Sequence, residues 1–177
     1  MQSPSQTPRQ THFPLIDGYP FAQARGDLRG ACAAGVFSRL KDLLGSPDSG
    51  LEYSVQGASD ALGRPALRLQ ARGILELTCQ RCLGSLAFPL AVDAMLVLAR
   101  NEAEIEAQPV EPDSPDRIVG DKEMDVGALL EDEILLAIPF APRHEHCSGT
   151  QDGKGAEKSS PFAQLRGLLK TGGRAGN

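Results

Sequence analysis

The chain has 177 residues, 41% of them hydrophobic, with two Tyr, six Phe and no Trp, enough for one modest core. No apolar stretch approaches the length that spans a bilayer, and the opening MQSPSQTPRQTHFPL lacks the charged start and apolar run of a secretion signal; a cytoplasmic protein without membrane contact is expected. The formal net charge of −5 conceals a segregation, because residues 101–133 hold twelve acids against Arg117 and Lys122 while the remainder carries a net +5. Such asymmetry fits a basic working face beside an acidic segment, or simply a solvated surface.

Residues 1–11 are rich in Ser, Gln, Thr and Pro without periodicity and read as a disordered lead-in to a single α+β domain over 12–147. Val36, Leu40, Leu43 and Leu44 fall on one helical face, which predicts a short N-terminal helix over 36–44, stopped by Gly45, Ser46 and Pro47. Cys32, in GACAAGV, reads as a plain core residue. Strands follow. Leu51, Tyr53 and Val55 alternate with Glu52, Ser54 and Gln56; Leu67, Leu69, Ala71, Leu75 and Leu77 alternate with Arg68, Gln70, Arg72 and Glu76. Phe88, Leu90, Val92, Ala94, Leu96 and Leu98 form a third alternating run. The connection CQRCLGS between the last two runs is too short for a parallel crossover, so these long strands are antiparallel.

The acidic, Pro-interrupted stretch 101–117 is expected to be a mobile loop. From Met124 to Ile138 the period changes to helical, with Val126, Leu129, Leu130, Ile134, Ala137 and Ile138 on one side and Pro139 as terminator. The result is an antiparallel sheet packed by an amphipathic helix over 125–138. Glu133 falls inside the apolar stripe, where an unpaired carboxylate costs several kcal/mol or stays protonated. Either Arg81 pairs with it, or the helix rotates and Glu133 reaches water at the rim.

Residues 148–160, SGTQDGKGAEKSS, have the composition of a flexible linker, and Ser160 with Pro161 opens a C-terminal tail helix over 161–171. Phe162, Leu165 and Leu169 give that helix an apolar stripe; Arg166, Lys170 and the later Arg174 make it basic. So short a helix needs a dock, in its own domain or on a partner. Arg68, Arg72 and these tail residues are the candidate contacts to RNA or to a partner.

Cys79 and Cys82 have the two-residue spacing that lets two sulfurs share a metal or a disulfide, and His144, His146 and Cys147 offer further donors. Cys79, Cys82 and Cys147 with His146, or alternatively His144, would make a structural zinc site tying the hairpin to the segment after the helix; otherwise the thiols pack as small apolar groups. A thiol oxidoreductase or redox sensor built on Cys79 and Cys82 is the competing reading, disfavoured because the pair precedes a strand instead of capping a helix. No phosphate-cradling Gly-rich loop, HExxH pair or nucleophile triad is present, so neither an enzyme nor a small-molecule binder is expected.

CQRCL after an alternating strand, VGALLEDEILLAIPFAPRHEHC at 126–147 and the terminal SPFAQLRGLLK resemble the bacterial YceD family, the large ribosomal RNA subunit accumulation proteins, over about residues 13–170. Cys79, Arg81, Cys82, Glu131, Glu133, Pro139, His144, His146 and Cys147 match the family's motif positions. The resemblance implies a role in the synthesis, processing or stability of 23S ribosomal RNA, without assigned catalytic residues. The implied partners are ribosomal RNA, a large-subunit precursor or another assembly factor.

Overall fold

A computed structural model of the chain describes residues 9–10, 12–107, 109 and 114–147. Its elements are β1 (Arg9–Gln10), β2 (Leu15–Ile16), α1 (Gly18–Gln23), β3 (Asp27–Ala33), β4 (Gly50–Ser59), β5 (Pro65–Thr78), β6 (Ser85–Ala99), α2 (Glu102–Glu106), β7 (Asp116–Val119), β8 (Met124–Asp125) and α3 (Val126–Ala137). The fold is α+β. Six strands form a mixed sheet in the order β1-β3-β4-β5-β6-β7. The central four strands are an antiparallel meander, and the outermost strands β1 and β7 pair in parallel. β2 and β8 form a separate antiparallel pair just before α3.

Alternation along β5 explains how the sheet divides its faces. Leu67, Leu69, Ala71, Leu75 and Leu77 are buried, whereas Arg68, Arg72 and Glu76 are exposed. On the inner side α3 contributes Val126, Leu130, Ile134 and, just beyond its end, Ile138. α1 lies so close to β4 that a Cβ at Gly57 would overlap the Phe21 carbonyl, so only glycine fits there. Pro89 sits in the stretch of β6 that β7 does not cover, where its missing N–H interrupts no second ladder.

Three local expectations change. No α-helix forms over 36–44: two 3₁₀ turns, Ala34–Val36 and Lys41–Leu43, take its place, and the N-terminal helix is α1. The reason is tertiary. The Arg39 and Leu40 amides donate to the Glu131 carboxylate on α3 at 2.6 and 3.3 Å, and Gly45 N donates to the Glu76 carbonyl at 2.6 Å, pulling the segment straight. Part of the acidic loop is helical, since Asn101 caps α2 by accepting from Glu104 N at 2.9 Å. Within the lead-in expected to be disordered, Arg9 and Gln10 pair with Ala31 and Cys32 of β3. The linker over 148–160, the tail helix over 161–171 with Phe162, Leu165, Arg166, Leu169 and Lys170, and the later Arg174 lie outside the described residues.

α3 stops where the sequence requires. Asp125 caps its start by accepting from Gly127 N at 2.7 Å and Ala128 N at 3.4 Å. Ile138 is already extended (φ −81, ψ 129), as a residue before proline must be, so Pro139 sends the chain away from the helix axis.

Candidate metal centre

The turn joining β5 to β6 closes on itself: Cys79 N donates to Gly84 O and Leu83 N to Cys79 O, each at 2.9 Å. Closing it so tightly places Leu83 in the left-handed region (φ 60) with its side chain in solvent. Cys79 is fully buried and Cys82 half-buried. Burial alone would push the Cys79 thiol up, but backbone N–H groups of Cys82, Arg81 and His144, together with the Cys82 side chain, outweigh it and hold the group down at about 5. Amide donors turned toward a sulfur are the environment of a thiolate ligand.

The second half arrives from α3. Gln80 N donates to the buried Pro142's carbonyl at 2.8 Å, and the Arg81 guanidinium reaches the carbonyls of His144 and Glu145 at 3.5 and 3.4 Å. These bonds bring His144 onto the turn. Its Nε2 lies 2.9 Å from the Ser85 carbonyl; because a carbonyl only accepts, Nε2 carries a proton, which leaves Nδ1, 3.5 Å from Cys82 Sγ, as the atom that could ligate a metal. Zinc bonds of ~2.3 Å to sulfur and ~2.0 Å to nitrogen at a tetrahedral angle would separate those atoms by ~3.5 Å. The ligand atoms of Cys79, Cys82, His144 and Cys147 all lie within 4.8 Å of one another, close enough to bind one metal ion. No disulfide joins any of the described cysteines.

The structure therefore brings together Cys79, Cys82 and Cys147 as expected but takes His144, leaving His146 exposed and outside the cluster. The two halves then share one spacing, C-x-x-C and H-x-x-C, a symmetry legible in the sequence and a better guide than proximity to Cys147. Cys32 stays out of the centre as a core residue, its thiol pushed up to about 11 by burial.

The proposed pairing of Arg81 with Glu133 does not form. Arg81 faces the His144 and Glu145 carbonyls, and the carboxylate that α3 buries is Glu131, which accepts from Arg39 N, Leu40 N and Arg39 Nε, the last at 3.0 Å. Arg39 also pairs with Asp132 at 2.6 Å. The buried stripe of α3 centres on Leu130 and Ile134, which turns Glu131 inward and Glu133 toward the rim. Burial, then Asp116 and Asp132, raise the Glu133 carboxyl above its ordinary value. Arg39 was missed because its role depends on a loop and not on a periodic element. Pro139 is exposed.

Of the candidate RNA contacts on the sheet, Arg68 is held in a bidentate bond by Asp93 at 2.8 and 2.7 Å, which keeps the Asp93 carboxyl down at about 2. Arg72 stands on the same outer face, directly opposite Glu52. Arg29 there is paired with Asp27. The outer face is thus a mosaic of opposite charges and not a basic patch.

Fold and centre together define a small α+β protein whose hairpin turn and post-helical segment converge on a four-donor thiol and imidazole cluster. A family model described as Large ribosomal RNA subunit accumulation protein YceD matches residues 67–169, and the chain belongs to the YceD family. The match begins on β5 and includes both halves of the cluster. No solved structure matches the chain. Among the described residues, no helix is long and apolar enough to cross a membrane.

Proposed function

We propose that this chain is a cytoplasmic, non-enzymatic ribosome-biogenesis factor that sustains the accumulation of 23S ribosomal RNA through its synthesis, processing or stability, and that its four-donor centre holds a structural zinc ion. The family match carries the first part, since the family is named for accumulation of the large-subunit ribosomal RNA. Its partner is ribosomal RNA, a large-subunit precursor or another assembly factor. The domain of residues 12–147 forms the body of the factor, and the basic, apolar-striped segment 161–171 supplies a further contact through Phe162, Leu165, Arg166, Leu169 and Lys170, with Arg174 just beyond it.

Three thiols with one imidazole would complete a four-coordinate zinc set of the structural kind, without the open position that catalysis at zinc requires. A bound zinc ion would supply cross-linking, joining the β5–β6 turn to the segment after α3. The Ser85 carbonyl already fixes the His144 ring in the tautomer a metal needs. Disulfide exchange through Cys79 and Cys82 draws no comparable support, because the pair leads into a strand and not a helix N-terminus.

Two measurements test this reading. Elemental analysis of protein purified without chelator should give one zinc per chain, falling to none in a Cys79→Ser, Cys82→Ser double variant; a wild-type stoichiometry near zero refutes the metal. Cells lacking the protein should accumulate less mature 23S ribosomal RNA, with the protein co-sedimenting with large-subunit precursors; normal 23S levels refute the role.

A further inference from the structure

The four residues after Ile138 are held at both ends. Ile138 is buried beyond the end of α3, and the Pro142 carbonyl is bonded to Gln80 N beside the metal centre. Between these anchors the chain leaves Pro139, Phe140 and Ala141 exposed, with the Phe140 side chain wholly in solvent at 106% relative exposure. A free aromatic ring on a segment fixed at both ends forgoes burial without being loose.

Positive charge lies beside the ring. Arg29, Arg39, Arg64 and Arg68 each pair with a carboxylate, so gripping a phosphate would require giving up an ion pair. Arg143 is exposed, three residues beyond Phe140, and has no carboxylate partner among the described residues. Glu145 is the single acid between residues 134 and 147, and Arg81 brings a second guanidinium to the carbonyls of that same connection.

We propose that this ledge binds an unpaired stretch of RNA, with one base stacked on Phe140 and a neighbouring phosphate at Arg143. The charge complementarity of Arg143 and the proud aromatic face select this occupant. Single-stranded RNA is recognised by stacking on aromatic side chains with cations along the backbone, whereas an apolar partner helix seeks a groove. The inference deepens the ribosomal reading and rests on it for the identity of the RNA, but the contact can be measured separately.

The test is a fluorescence-anisotropy titration of the metal-loaded full chain against a labelled single-stranded oligoribonucleotide, at several salt concentrations. Phe140→Ser should weaken binding at least about fivefold. Arg143→Gln should weaken it and lower the slope of log affinity against log salt by about one. Leu62→Ser, removing an exposed leucine from the β4–β5 turn, should change nothing. Because Phe140 packs against nothing, its serine variant should keep the wild-type unfolding midpoint. Failure of the wild type to bind at low salt, or equal binding by Phe140→Ser, overturns the proposal. So does a Phe140→Ser variant that loses large-subunit precursors in sedimentation while wild-type association resists RNase, since the ledge would then contact protein. Normal 23S levels in cells lacking the protein would defeat the biogenesis reading and leave the oligonucleotide titration standing.

Discussion

Two glutamates on one helix, two positions apart, meet opposite fates. Glu131 is buried and accepts two amides and a guanidinium; Glu133 is partly desolvated beside Asp116 and Asp132, with no ion pair among the described residues. Glu131→Gln should therefore destabilise the protein by about 1–3 kcal/mol, as buried donors lose a charged acceptor. Glu133→Gln should do the reverse. A carboxyl raised above its ordinary value contributes stability that is present below that ordinary value and is lost as pH rises through the raised one. The glutamine variant should match wild type at acid pH and exceed it at neutral pH by up to about 0.5 kcal/mol, a small figure because water screens the half-exposed group. Urea unfolding across pH checks both, and a Glu133→Gln variant less stable at neutral pH would contradict the assignment. Periodicity put Glu133 in the apolar stripe, whereas the buried carboxylate is Glu131 and Glu133 lies at the rim, because the answer turns on where the 34–44 segment lies.

At the scale of elements, the strands were the most legible part of the chain. The alternation of Leu67, Leu69, Leu75 and Leu77 with charged residues survives directly as the two faces of β5. β3 and β7 escaped notice because DLRGACA and DRIV lack alternation strong enough to stand without their neighbours. The 36–44 segment had helical spacing but no reason to be independent of α3, and tertiary amide bonds overrode it. The thiol turn shows the converse, a local motif that announces its chemistry while hiding its strain. Leu83 adopts φ 60 with its side chain exposed, so it pays a left-handed cost with no packing in return. Leu83→Gly should stabilise the metal-loaded protein by up to about 1 kcal/mol, read from the urea midpoint. A loss of stability would show that Leu83 packs against something in solution.

Across the molecule, the metal centre borders the main buried cluster without joining it, although Cys79 is itself fully buried. The buried cluster runs from Ile16 and Cys32 through the inner faces of β4, β5 and β6 to Leu130, Ile134 and Ile138, and none of the four donors belongs to it. Sequence composition foresaw one core and the C-x-x-C pair; it could not foresee that the core closes without the donors, because that depends on strand order. The sheet should therefore survive loss of the ion, while residues 139–147 depend on it together with the Gln80 and Arg81 bonds. Arg143, exposed in that segment, is a reporter for trypsin. Chelation at neutral pH should leave the far-ultraviolet circular dichroism of the sheet almost unchanged yet speed cleavage after Arg143 at least about tenfold, because proteolysis follows the population of locally opened chain. Restoring zinc should restore protection, since an ion bound only to the closed form stabilises it by mass action. Cleavage at an unchanged rate would mean that the hydrogen bonds alone hold the segment, and collapse of the sheet signal would mean that the centre is part of the core's cooperative unit.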